Sequence, residues 1–326
     1  KEFAEEWENR GVCKPGFLAY VNNPSKVSFP WTMIDKITPR PDAKIEKILA
    51  DDGIEQLEPV ITSKKTYVAP FVNAEECQYL VIEDNFPNGR PELEKAGLYF
   101  TDRATVDKVE KMKVCTCLNP LHTFLAVSGC LLGYTLIADE MKDPDLLALV
   151  KRLGYDEGLP VVVDPGIIKP RNFIDEVVNI RIPNPFMPDT PQRIACDTSQ
   201  KLSIRFGETI KGYLGRSDLD VKALEVIPLV EALWLRYLMG IGDDGEAFEL
   251  SPDPLLSEVQ PVVANVKLGE KFDVHATVEP LLKRKEIFGV DLYEAGLGEK
   301  VEAYFEKLTS GVGAVRKSIM QCGIRN

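Results

Sequence analysis

Positive charge is in short supply in this sequence, where 39 lysines and arginines face 51 acidic residues for a formal net charge of -12. It has no concentrated Lys/Arg footprint of the kind a phosphate backbone requires, so nucleic acid is not an expected partner. An anionic small molecule fits only where a few cations converge locally against the overall field. Long apolar runs are missing too. Past His122, the uncharged stretch over residues 123–138 contains Ser128, Gly129, Gly133 and Thr135. It falls short of the ~20 apolar residues that span a bilayer, so it reads as a buried core helix and no membrane is expected. The seven cysteines (Cys13, Cys77, Cys115, Cys117, Cys130, Cys196 and Cys322) lack the even count and regular spacing of a disulfide framework, with no signal peptide ahead of them. Reduced thiols in a cytoplasmic protein are the simplest reading. Cys115 and Cys117 form a C-x-C pair without a second pair or a histidine array, so no metal site is expected.

A glycine-rich turn of the G-x-G-x-x-G or G-x-G-x-F kind set between a strand and a helix is also lacking. That turn seats phosphates on backbone amides at a helix N-terminus in dinucleotide-binding domains. The sequence opens at Lys1-Glu2-Phe3-Ala4, inside a helical pattern, and looks like the later part of a longer chain. What is there is the composition of an ordinary globular protein of about two domains, with 44% hydrophobic and 28% charged residues over a length of 326. The first hundred residues mix short elements: a helix over 2–9, an extended stretch over 27–37 interrupted by Pro30, an amphipathic helix over 43–49 and a strand over 78–82. The strand runs into a turn-rich loop over 83–91 that belongs at the surface or at a site. Helical periodicity dominates the remainder and puts a boundary near 102–105. Helices are expected over 105–113, 119–140, 145–153, 172–179 and 199–214. Ala223, Leu224, Ile227, Val230, Leu233, Trp234, Tyr237 and Leu238 then line one buried helix face ended by Gly240, with Pro228 inside it as a kink or a break. Pro183, Pro185, Pro188 and Pro191 stiffen a connection, and no internal repeat is present.

There are only two histidines. His275 has no obvious partners in sequence and reads as structural. His122 lies three residues after Asn119, so on a helix both project from one face, and Lys113 precedes them in the same segment. Lysine, asparagine and histidine together supply an ammonium that can lose a proton and two groups that can polarise a carbonyl. Asn119-Pro120 also has the form of a helix start, with asparagine as N-cap and proline as the first helical residue. On spacing alone that plainer reading of Asn119 and His122 is preferred.

Five blocks of sequence change the weighting. Residues 27–39 (VSFPWTMIDKITP) resemble the FPxSMVDRIxP signature of the mannitol dehydrogenase family, the polyol-specific long-chain dehydrogenases. Residues 82–97 (IEDNFPNGRPELEKAG), 119–122 (NPLH), 181–185 (RIPNP) and 193–201 (RIACDTSQK) resemble further blocks of that family, in register over about residues 4–321. The wording CLNPLH over 117–122 is most similar to the mannonate oxidoreductase, or fructuronate reductase, branch. The resemblance implies an α/β part followed by a mainly α part. Residues 1–103 would be the C-terminal portion of a Rossmann-type nucleotide-binding domain, and 104–326 a helical substrate and catalytic domain. It implies an NAD-dependent, metal-independent oxidoreductase, with NADP not excluded, acting as a monomer or homodimer on a small sugar acid or polyol. Lys113 would be the acid/base, Asn119 and His122 would hold the reacting oxygen, and Glu110 would relay protons. Arg193 and Lys201 would contact substrate, Arg193 pairing with a carboxylate, and Asp35 would lie at the nicotinamide side.

One departure stands out. The family pattern is Lys-x4-Asn-x2-His, whereas five residues, 114–118, separate Lys113 from Asn119 here. On a straight helix at ~100° per residue the nine-residue step puts Lys113 and His122 on opposite faces. A π-bulge absorbs one residue, and Pro120 removes an amide, so a bulge or break over 114–118 is expected; without it Lys111, or no lysine, takes the role. The expected substrate pair is mannonate and fructuronate. The alternatives are an uncharged polyol such as mannitol, or a non-catalytic helical module lacking its cofactor half.

Overall fold

In a computed structural model of the chain, residues 1–34, 36, 41–72, 74 and 79–324 are described. The first part carries α1 (Glu2–Asn9), α2 (Phe17–Val21) and α3 (Ala43–Asp51), with strands β1 (Thr32–Ile34), β2 (Val60–Ile61), β3 (Tyr67–Val68), β4 (Leu80–Glu83) and β5 (Tyr99–Thr101). β4 is the centre of a mixed sheet, antiparallel to β1 with Met33 opposite Val81, and parallel to β5 with Val81 opposite Tyr99. β2 and β3 form a separate hairpin. Aspartates start the helices: Asp42 accepts from the Lys44 amide at 2.8 Å, and Asp102 from the Thr105 amide at 3.0 Å.

The second part is helical: α4 (Arg103–Met112), α5 (Asn119–Leu132), α6 (Ile137–Glu140), α7 (Pro144–Lys151), α8 (Pro170–Glu176) and α9 (Pro191–Ile194) come first. α10 (Glu208–Leu214), α11 (Val226–Tyr237), α12 (Leu256–Val263), α13 (Val274–Leu282), α14 (Lys285–Phe288), α15 (Gly298–Leu308) and α16 (Ala314–Ile324) follow. α4 begins at Arg103, inside the expected boundary, but the buried core is continuous across it, running from Met33 and Val81 into α5, α11 and α15. Tyr79 packs at a tilt against Phe173 of α8 with ring centroids 4.4 Å apart, tying the sheet to the helices. The helical run Arg103–Leu132 has the length and composition to cross a membrane, yet its most apolar stretch is 78% buried against the rest of the chain, as in a core helix.

Three expectations need correction. The helix expected over 119–140 ends at Leu132, because Gly133 adopts φ 77° and closes it, and α6 is separate. Pro228 lies in the first turn of α11, where its missing N–H leaves no bond unmade; Ala223 belongs to a 3₁₀ turn before the helix. The runs expected over 145–153, 172–179 and 199–214 are interrupted by π-helical turns at Arg152–Gly158, Val177–Arg181 and Ser203–Gly207. The first of these is anchored by Glu157, whose buried carboxylate accepts from the amides of Glu225, Val226 and Ile227 at 2.8, 2.7 and 2.9 Å and so caps α11.

The core also encloses Glu140 and Glu231, fully buried carboxyls without a hydrogen-bond partner among the described residues. Burial pushes both well above the ordinary value of 4.5. A carboxyl raised in the folded state contributes stability that is complete below its unfolded pKa and is lost as pH rises through its folded one. Glu231→Gln is therefore expected to be increasingly more stable than the wild type as pH rises above 4.5. The gap grows by up to about 1.4 kcal/mol per pH unit over the interval in which only the folded state keeps the proton. Urea midpoints of both proteins at pH 5, 6.5 and 8 check it; parallel curves would show that Glu231 does not titrate differently on folding.

Candidate active site

Lys113 opens a π turn over Lys113–Cys117 that joins α4 to α5. The Leu118 amide donates to the Lys113 carbonyl at 3.1 Å, the i→i−5 bond of a π turn. Pro120 offers no N–H, and the carbonyl of Cys115 is instead met by Thr209 Oγ1 at 3.3 Å. The bulge expected over 114–118 is thus present. Asn119 is not the N-cap; Leu118 holds that place and Asn119 is the first residue of α5. Its side-chain Oδ1 is buried without a hydrogen-bond partner among the described residues, an unmet acceptor of the kind that awaits a ligand hydroxyl. His122 is buried, with Nε2 3.8 Å from Oδ2 of Asp189, too far for a direct hydrogen bond between those two atoms.

The facing wall is built from the connection around α9. Thr190 Oγ1 accepts from the Arg193 amide at 3.2 Å, and the Arg193 guanidinium pairs with Asp189 one turn earlier. The next turn is held in an unusual conformation: Asp197 has φ 54°, and its amide donates to Pro252 O at 2.9 Å. Asp253 accepts from the amide of Ser199 at 2.8 Å and from its hydroxyl at 2.5 Å. This clamp delivers Lys201, whose ammonium donates to the carbonyls of Ile194, at 3.0 Å, and Cys196, at the C-terminal end of α9. Burial and the neighbouring Arg205 lower the Lys201 ammonium's pKa below its ordinary value.

Lys113, Asn119, His122, Arg193 and Lys201 all line one cavity of about 280 Å³, joined by Arg181 and Arg205. Glu110 does not join them; it lies on the exposed face of α4, as does Lys111. Asp35 lies outside the described residues. Arg181, Arg205 and the buried Asp189 are members that the sequence reading missed. Asp189 stands four residues before Arg193, and Arg205 four after Lys201, the spacing of helical neighbours. Three of the five cations around the cavity, Lys113, Arg181 and Arg205, are supplied by π turns, a backbone form that recurs at functional sites. In a chain of net charge -12 this is a local concentration of positive charge that favours an anion or a developing oxyanion. A larger open cleft of about 850 Å³ beside α3 and the β2–β3 hairpin has no comparable convergence of charge. Among the described residues no group of three or more His, Cys, Asp or Glu could hold a metal ion.

The mannitol dehydrogenase C-terminal domain family matches residues 105–309. The chain is 56% identical over 321 residues to a D-mannonate oxidoreductase of Thermotoga maritima, an overlap covering 98% of this chain and 59% of that protein. It is 30% identical to a D-mannonate oxidoreductase of Escherichia coli, over 85% of this chain and 51% of the other. The solved structure of Pseudomonas fluorescens mannitol 2-dehydrogenase, a ternary complex with NAD and D-mannitol, superposes with a TM-score of 0.70 at 26% identity, covering 96% of this chain and 58% of that one. The chain therefore spans little more than half the length of these relatives.

Proposed function

The chain belongs to the mannitol dehydrogenase family, and we propose that in the full-length protein it interconverts a linear sugar acid and its keto form by hydride transfer, with D-mannonate and D-fructuronate as the pair and NAD, or else NADP, as cofactor. The observation that carries this reading is the convergence of Lys113, Asn119 and His122 with four further cations on one small cavity. The relatives named above for mannonate support the choice of acid.

The nicotinamide ring, when bound, supplies the hydride acceptor. Among the described residues no G-x-G-x-x-G turn leads from a strand into a helix, so a cradle for the cofactor's phosphates is not assigned in this chain; Asp35 is proposed for the nicotinamide side. In oxidation Lys113 takes the hydroxyl proton, and in reduction it returns that proton to the oxygen. Asn119 and His122 hold the same oxygen as its charge grows, a contact worth about 3 kcal/mol in acyl-transfer sites. Asp189 keeps the imidazole turned toward its task. Arg193 and Lys201 line the cavity as substrate contacts, and Lys201 also fixes the end of α9.

A panel of fructuronate, tagaturonate, fructose and mannitol, followed by cofactor absorbance, tests the reading. The kcat/KM for fructuronate is expected to exceed that for fructose by about 100-fold, because a site built for a charged group is left with unpaired charge by a neutral analogue. Equal or better turnover of fructose would move the assignment to uncharged polyols, the reading favoured by the neutralisation of Arg193 by Asp189.

A further inference from the structure

The cations around the cavity are not equivalent. Arg193 is paired with Asp189, and its side chain is 54% exposed. Lys201 is committed to two backbone carbonyls. Arg205 meets no acid among the described residues: its guanidinium donates through Nη1 to Thr123 Oγ1, and that hydroxyl donates onward to the Asn119 carbonyl at 2.9 Å. The remaining donors of its planar fork are left for a ligand, in the geometry that matches a carboxylate.

Position agrees with chemistry. Thr123 follows Asn119 by four residues of α5, a rise of about 6 Å. In a six-carbon 5-keto acid the carbonyl and carboxylate carbons are four bonds apart, about 5 Å in an extended chain. With the reacting oxygen held at Asn119 and His122, a carboxylate one turn along α5 falls beside Thr123 and its guanidinium partner. We propose that Arg205, rather than Arg193, reads the carboxylate of the substrate. The proposal rests on the reading of the substrate as a sugar acid. Burial without an acidic neighbour lowers Arg205 to about 10, the sign of a desolvated cation that a bound carboxylate would relieve. The π turn Ser203–Gly207 that carries it packs on the π turn carrying Lys113, so the charge-reading and proton-moving groups share one support.

Calorimetric titration of the full-length protein with D-mannonate and with D-mannitol, the reduced cofactor present so that neither ligand is oxidised, tests the assignment in the wild type, Arg205→Gln, Arg205→Lys and Arg193→Gln. Arg205→Gln is expected to weaken mannonate about 100-fold and mannitol by far less. Arg205→Lys, which keeps the charge but loses the fork, should lose about tenfold on mannonate and serves if the glutamine variant fails to fold. Arg193→Gln should lose less on mannonate than either. Equal losses on acid and polyol in the Arg205 variants, a selective loss in Arg193→Gln instead, or a wild type that binds mannonate no better than mannitol would each overturn the proposal. Fructuronate reduction is measured on the same samples. A wild type that binds mannonate through Arg205 yet transfers no hydride would uphold the carboxylate assignment and overturn the proposed reaction.

Discussion

Lys113→Ala in the full-length protein is expected to lower kcat by about 10²- to 10⁴-fold, the usual worth of a positioned proton-transfer group, with cofactor affinity nearly unchanged. The reason is positional. Lys113 is the lysine that the π turn rotates into the cavity with Asn119 and His122, whereas Lys111 is exposed and lines no part of it. Lys111→Ala should therefore turn over like the wild type, and added primary amines should partly restore Lys113→Ala by supplying the missing proton acceptor. Steady-state kinetics over pH 6 to 10 check this; near wild-type kcat in Lys113→Ala, with loss in Lys111→Ala, would mean that the π turn does not set the register of the site.

Gly207→Ala is expected to destabilise the fold by about 3 kcal/mol, at the upper end of what overpacking costs, and to weaken substrate binding with it. A Cβ at Gly207 would lie 2.3 Å from the Phe288 carbonyl oxygen and 3.0 Å from the Cα of Gly289. Both are backbone atoms, so no side chain can swing away to make room. Gly289, at φ 79°, is itself packed against the Ser203 carbonyl. The strain must therefore enter the Ser203–Gly207 turn, and Arg205 moves with it. Urea midpoints should fall and KM for the acid should rise together; a variant with wild-type midpoint and KM would show that the close approach to α14 is not maintained in solution.

The sequence carries some of this site plainly and hides the rest for identifiable reasons. The π turn after Lys113 is legible because a residue count conflicts with helical phase while Pro120 removes an amide. Asn119, His122, Arg193 and Lys201 are legible as a resemblance, and they do meet in one cavity. Arg205 shows only as a four-residue step after Lys201 and Arg181 only as the start of the 181–185 block; neither is legible as a member of the site, because π turns shift the phase of the helices around them and a periodicity of 3.6 misassigns their faces. Asp189 is half legible: an acid four residues ahead of a base signals a pair, but its approach to His122 spans 67 positions of sequence and only the tertiary fold creates it. Glu110 illustrates the converse, a residue near the site in sequence that the helix turns to solvent. Pro228 reads equally as a kink or a break because a proline pattern alone does not reveal which residue starts the helix.

The capping of α11 by Glu157 bears on how the molecule opens. First-turn amides of a helix normally trade their protons with solvent by local fraying, since no backbone carbonyl holds them. The Val226 and Ile227 amides are held by a carboxylate 69 and 70 positions earlier in the chain, inside the core. They are freed only when two distant segments come apart. Their hydrogen exchange should thus report the opening of the whole helical body, at the slowest rate in the protein, from a place where a helix is ordinarily at its loosest.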